Sequence, residues 1–173
     1  MAILEIREYP DPILKQKAKP VEQMDDSLRR LLDDMVETMY AAPGVGLAAP
    51  QVGVSLRAIV VDASPKDESA QLMKLVNPVI TYAEGSVPSE EGCLSLPEVT
   101  GEVVRAKKIS VEALDEYGKP VSFTTDTFLA IVLQHEIDHL DGILFIDRLS
   151  RLKQDLIKRR LKKRAKKEGT DQL

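Results

Sequence analysis

The chain is predicted to fold as an α+β domain of mainly antiparallel β-sheets packed around a central helix, with an N-terminal helix and a basic C-terminal helix. Three observations predict this class. A helix-period segment stands near the start, strand signals with a hairpin turn fill the middle, and two helical segments close the chain. The length of 173 residues suits one domain, and 43% hydrophobic with 30% charged side chains is a globular composition.

The opening holds Pro10, Pro12 and Pro20, so it is expected as extended chain and turns. Asp25 or Ser27 can cap a first helix running to about Tyr40, because a short side-chain oxygen can accept from the free N–H groups of the first turn. Leu28, Leu31, Leu32, Met35, Val36 and Met39 recur at helical spacing and form its core face, and Pro43-Gly44 ends it. Gly44-Val45-Gly46-Leu47-Ala48-Ala49-Pro50-Gln51 follows, a small-residue loop that lets backbone approach something closely. A phosphate cradle is disfavoured there, since no Lys-Ser/Thr pair or helix signal comes next.

Strands are expected over Arg57–Asp62, near Leu72–Val76 and Val79–Ala83, and over Val99–Arg105, Lys108–Leu114 and Pro120–Thr124. A polar loop at Ser64–Ser69 separates the first two, and Asp115-Glu116-Tyr117-Gly118 makes a hairpin of the last two. Glu90-Glu91-Gly92-Cys93-Leu94-Ser95 lies among glycine- and proline-bearing turns. Asp126 as N-cap and Gly142 at C′ bound the central helix at about 127–141. A last helix runs to about Lys167, with Leu149, Leu152, Leu156, Ile157, Leu161 and Ala165 as its apolar stripe. Residues 1–150 are read as the body of the domain and 151–173 as its basic helical tail.

Charge is uneven. The net of −4 divides into −11 over residues 1–150 and +7 over residues 151–173, so the tail suits a polyanion or is a solvated helix face. A single cysteine excludes an internal disulfide. Glu5, Arg7 and Glu8 are charges too early for a secretory segment, and the longest apolar run, Phe128 to Leu133, is too short to span a bilayer. A soluble, unexported protein is expected.

Both histidines of the chain fall in Gln134-His135-Glu136-Ile137-Asp138-His139. In a helix His135 and His139 share one face a turn apart and can grip one metal ion, while Glu136 projects beside it. The alternative is an amphipathic helix with two surface histidines. The apolar lead-in Phe128-Leu129-Ala130-Ile131-Val132-Leu133 argues for a buried, metal-binding helix instead. With the histidines used up, a third ligand has to be Cys, Asp or Glu. No supporting pattern surrounds the acids after His139, which weakens a His-Glu-x-x-His metallopeptidase. Cys93 is the better candidate, since a thiolate binds borderline and soft divalent metals strongly.

The Gly44–Gln51 stretch, Glu91-Gly92-Cys93-Leu94-Ser95 and Gln134–His139 together resemble the three signature motifs of the peptide deformylases, in the same order. The resemblance extends from about Leu4 to Ser150. It implies a hydrolase that removes the formyl group from N-terminal formylmethionine of newly made chains and releases formate. By match to the motifs, Cys93, His135 and His139 would hold one divalent metal, with Fe(II) the family's metal in the cell and nickel, cobalt or zinc accepted. Glu136 would be the acid–base residue, and the Gln51 side chain and Leu94 backbone N–H the oxyanion donors.

Val45, Phe128, Ile131 and Val132 are expected to line a pocket for the methionine side chain, with the peptide extended along the loop containing Gly46 and the edge near Gly92. The resemblance further implies that Glu91 and Arg105 pair, and that Asp138 orients a ligating histidine or neighbouring structure. Thr100 stands where many members have an arginine that helps bind peptide, and Val104 where a proline is common. The basic tail resembles an extension that docks some bacterial members on the ribosome. The compact spacing between motifs resembles the bacterial type and implies a cytoplasmic monomer. A non-enzymatic, metal-stabilised ribosome- or RNA-associated protein is the remaining alternative, opposed by Glu136, which a closed structural site would not need.

Overall fold

In the structure, a computed structural model, residues 2–64 and 71–171 are described. The expected polar loop at 64–69 therefore lies, apart from Ser64, outside the described residues. Helix α1 spans Asp26–Ala41, capped by the Asp25 carboxylate, which accepts from the Leu28 N–H at 2.9 Å. Strand β1 is Gly46–Ala48, a 3₁₀ turn follows at Ala49–Val52, and β2 is Ala58–Val61. The remaining strands are β3 Met73–Glu84, β4 Val87–Cys93, β5 Leu96–Arg105, β6 Lys108–Leu114 and β7 Pro120–Thr125, followed by α2 Phe128–Leu140 and α3 Arg151–Asp171. The α+β class with antiparallel sheets is as expected.

Five strands form one sheet in the order β1-β2-β3-β6-β7, and β4 with β5 forms a separate hairpin sheet. Every pairing between these strands is antiparallel. The larger sheet is covered on both faces where β2 runs, which is why Ala58-Ile59-Val60-Val61 is continuously apolar instead of alternating. Ile59 and Val61 join α2 residues Ala130, Leu133, Ile137 and Leu140 in one core cluster. Ala58 and Val60 join α1 residues Leu28, Leu32, Met35 and Met39 in another. A third cluster ties β5 to the 3₁₀ turn Phe145–Arg148 and to Leu161 of α3. Among the described residues, no helix is long and apolar enough to cross a membrane.

Four local expectations need correction. The two stretches expected around Pro78 are one strand, β3, because the register shift between Val76 and Val79 takes the proline into a bulge. Asn77 there has φ 50°, and its carboxamide both accepts from and donates to the Val21 backbone at 2.8 and 3.0 Å. The Cys93 segment is not all turn: β4 enters it, and β5 begins at Leu96 instead of Val99. The buried positions of β4 include Ser89 and Glu91, so its inward face is polar and shows no hydrophobic alternation.

Helix α2 starts after Thr127, not Asp126, and no side chain caps it. Finally, the α3 stripe is narrower than the sequence suggests. Ile157 and Leu161 pack on the body, whereas Leu152 is 70% exposed and Leu156 is also exposed. Positions 152 and 156 form a row about 100° round the helix from 157 and 161, out of reach of the body.

Candidate active site

The site lies where α2, the β4–β5 hairpin and the β1 edge meet. One face of α2 is pinned to the large sheet by its leucines and isoleucine, and Glu136 and His139 are buried beside that contact. The hairpin turn carries Cys93 to the histidines: its Sγ is 3.3 Å from His139 Nε2. One ligand atom from each of Cys93, His135 and His139 fits within 4.8 Å of the others. The rings of His135 and His139 stand edge to face with centroids 5.0 Å apart.

These residues suit a divalent metal on chemical grounds. His135 Nδ1 lies 3.0 Å from Glu91 Oε1. Burial acting alone would raise the Glu91 carboxyl, but hydrogen bonds from Arg105 and His135 bring it down to about 2, so it is an acceptor. His135 Nδ1 therefore donates, which leaves Nε2 as the nitrogen that would face a metal once its proton is lost. Burial holds His139 neutral, well below the ordinary histidine value, which is the ligating form. On His135 burial is outweighed by the contacts with Cys93 and Glu91, which draw it well above that value.

The expected Glu91–Arg105 pair is present and bidentate, with Arg105 Nε and Nη2 donating to the two Glu91 oxygens at 2.8 and 2.7 Å. Arg105 Nη1 donates to Asp138 Oδ2 at 2.7 Å, and Arg148 grips both Asp138 oxygens at 2.7 Å. Asp138 thus holds the two arginines and not a histidine; the carboxylate that meets a histidine is Glu91.

Glu136 is buried, and its Oε1 has no hydrogen-bond partner among the described residues. Burial pushes its carboxyl up to about 7. A Cβ added at Gly46 would lie 2.6 Å from Glu136 Oε2, so only glycine lets the β1 backbone come this close. Gln51 is buried with Oε1 accepting from Ala48 N–H at 3.0 Å, while Nε2 donates to Ser95 Oγ at 3.2 Å and faces Cys93 Sγ at 3.5 Å.

Cys93, His135, Glu136 and Gln51 open onto a cavity of about 340 Å³. Val45, Gly46, Gln51, Cys93, Leu94, Phe128, Ile131, Val132, His135 and Glu136 are among its lining residues, so segments distant in sequence are brought together there. Val45 and Phe128 stand exposed at its mouth, while Val132 is mostly buried in the sheet-facing core. Three contacts near the site were not foreseen: Glu91 on His135, Arg148 on Asp138 and Ser95 on Gln51. The first two needed the hidden strand β4 and the turn before α3 to be placed. The third joins the 3₁₀ turn after β1 to the turn between β4 and β5, which no spacing along the chain reveals.

The geometry has counterparts among known proteins. The family model for polypeptide deformylase matches residues 3–155. A peptide deformylase of Thermodesulfovibrio yellowstonii is 52% identical over 162 residues, which cover 94% of this chain and 98% of that one. A second, from Symbiobacterium thermophilum, is 58% identical over 153 residues, covering 88% of this chain and 70% of the relative. The crystal structure of a Legionella pneumophila peptide deformylase superposes with a TM-score of 0.88 at 48% identity, covering 97% and 98% of the two chains. That of Ehrlichia chaffeensis peptide deformylase in complex with actinonin gives 0.90 at 39% identity, covering 95% and 98%. Profile, sequence and fold agree over nearly the whole length, and the chain belongs to the polypeptide deformylase family.

Proposed function

We propose that this chain removes the N-formyl group from formylmethionine at the start of newly made polypeptides, releasing formate, and that it does so with the residues just described. The observation that carries the assignment is the convergence of Cys93, His135 and His139 beside a buried carboxylate oxygen of Glu136 that has no partner among the described residues. Cys93, His135 and His139 would hold the divalent metal; Fe(II) is our assignment, and the donor set also suits Ni(II), Co(II) or Zn(II). When bound, such a metal supplies a water nucleophile at neutral pH.

The chain's own groups do the rest. Glu136 takes the proton of the attacking water on a carboxylate oxygen and later returns it to the departing amine. As negative charge gathers on the formyl oxygen, the Gln51 Nε2–H and the Leu94 backbone N–H donate to it. Val45, Phe128, Ile131 and Val132 receive the methionine side chain, and the peptide backbone runs extended past Gly46 and Gly92. The test is formate release from formyl-Met peptides: protein loaded with Fe(II) or Ni(II) is expected to release it, and no release sinks the proposal.

Gly46 gives a more local check. Gly46→Ala would push a methyl group into Glu136, and displacing an acid–base group by about 1 Å costs up to about 10²-fold in rate. The expected signature is a drop of tenfold or more in kcat with metal content unchanged. Wild-type kcat in Gly46→Ala would show that Glu136 is not held from this side.

Of the possible partners, we assign the ribosome to the basic face of α3, acting in the cytoplasm. Lys158, Arg159, Arg160, Lys162, Lys163 and Arg164 all lie on this helix. Binding through them would weaken steeply with salt, as contacts to phosphate do. Deleting residues 151–173 is expected to abolish co-sedimentation with ribosomes at low salt, and unchanged co-sedimentation would remove the assignment.

A further inference from the structure

The geometry points to Ser95 and the segment Arg7–Tyr9 as a brace that positions the Gln51 carboxamide for the formyl oxygen. This rests on the deformylase reading above. A carboxamide nitrogen has two N–H donors. With Gln51 Oε1 fixed by the Ala48 N–H at 3.0 Å, one of those donors goes to Ser95 Oγ at 3.2 Å. That bond aims the second donor toward Cys93 Sγ, 3.5 Å away, on the cavity side where the substrate oxygen has to sit.

Ser95 can set this direction because it is itself held. It has no solvent exposure, and its backbone carbonyl accepts from the Tyr9 N–H at 2.8 Å. The Gln51 backbone carbonyl accepts from the Arg7 N–H at 2.6 Å. Arg7 and Tyr9 are only two residues apart, so one short N-terminal segment grips both partners. Gln51 follows β1 of the five-stranded sheet, and Ser95 lies in the turn of the β4–β5 hairpin. The brace therefore spans two sheets that share no strand pairing. The Arg7 guanidinium also lies over the turn after Gln51, 3.1 Å from where a Cβ on Gly53 would stand.

Ser95 is thus a positioning residue, acting through Gln51. The experiment is a double-mutant cycle on the metal-loaded enzyme with Ser95→Ala, Gln51→Ala and the pair, reading kcat and KM for formate release together with metal content. Ser95→Ala is expected to lower kcat about three- to tenfold, the rate equivalent of one ordinary hydrogen bond, with KM and metal content unchanged. In the Gln51→Ala background it should cost nothing further. Equal losses in both backgrounds, or an unchanged kcat in Ser95→Ala, would overturn the brace.

Arg7→Pro, which deletes the N–H that meets Gln51, is expected to lower kcat more than Arg7→Ala, which keeps it. This pair carries the test if Ser95→Ala does not fold; equal values would dismiss the N-terminal half of the brace. An inactive wild type would instead refute the deformylase reading.

Discussion

Glu136→Ala is expected to lower formate release by about 10³-fold, within the 10²–10⁴ range for a lost general acid–base group. The loss should fall on kcat and leave metal content near that of wild type, because Cys93, His135 and His139 remain in place. The fold should not suffer. Glu136 sits buried with one oxygen unpartnered among the described residues, and burial pushes its carboxyl up to about 7, so the side chain is held at a cost. Its removal is therefore expected to leave the thermal midpoint unchanged or raise it, the usual exchange of stability for activity at a reacting group. Three readings on the same samples decide the matter: formate, metal and unfolding temperature. Retention of a tenth or more of the wild-type rate would mean that the proton is carried by another group. Loss of metal along with activity would make Glu136 a site-builder and not an acid–base residue.

The sequence made the chemistry more legible than the architecture around it. His135 and His139 could be paired from spacing alone because helical period fixes which residues share a face. Cys93 was preferred to the acids because a thiolate suits a borderline metal, and the structure brings it to the two histidines. Strands with apolar inward faces, such as β6 at Lys108–Leu114, were visible with correct bounds. Strand β4 was not, because Ser89 and Glu91 face inward and their burial depends on polar partners supplied from elsewhere. The same holds for Arg148 and Ser95, whose roles exist only once the α3 junction and the N-terminal segment are folded against the site. Polar networks are long-range and have no period, so a single sequence carries little trace of them. The α3 stripe failed for the opposite reason: periodicity was present, but only one row of it found a surface to pack on.

Arg105→Ala is the substitution with the largest expected effect on stability. The guanidinium is 3% exposed between Glu91 at 6% and Asp138 at 9%, and it uses three of its nitrogens on them. Exposed pairs such as Arg29–Asp26 exchange solvent for one another at little gain. Here the surroundings are dry, and removing one partner leaves a buried charge unmatched, which costs about 3–5 kcal/mol. Asp138 keeps Arg148 in that variant, so the deficit falls on Glu91, whose remaining side-chain partner is His135. Two effects then oppose each other at the metal. A freed negative charge near the site would attract a cation, while a Glu91 no longer clamped from behind would let the His135 ring turn. Loss of such a supporting contact typically costs 10–100-fold in metal affinity, and we expect positioning to win. Arg105→Lys should rescue little, since an ammonium cannot span both Glu91 oxygens and Asp138 in one plane. The checks are the denaturant midpoint and the rate of metal transfer to a chelator. An Arg105→Ala protein as stable and as metal-retentive as wild type would show that the Glu91–Arg105–Asp138–Arg148 set is not what holds His135 in place.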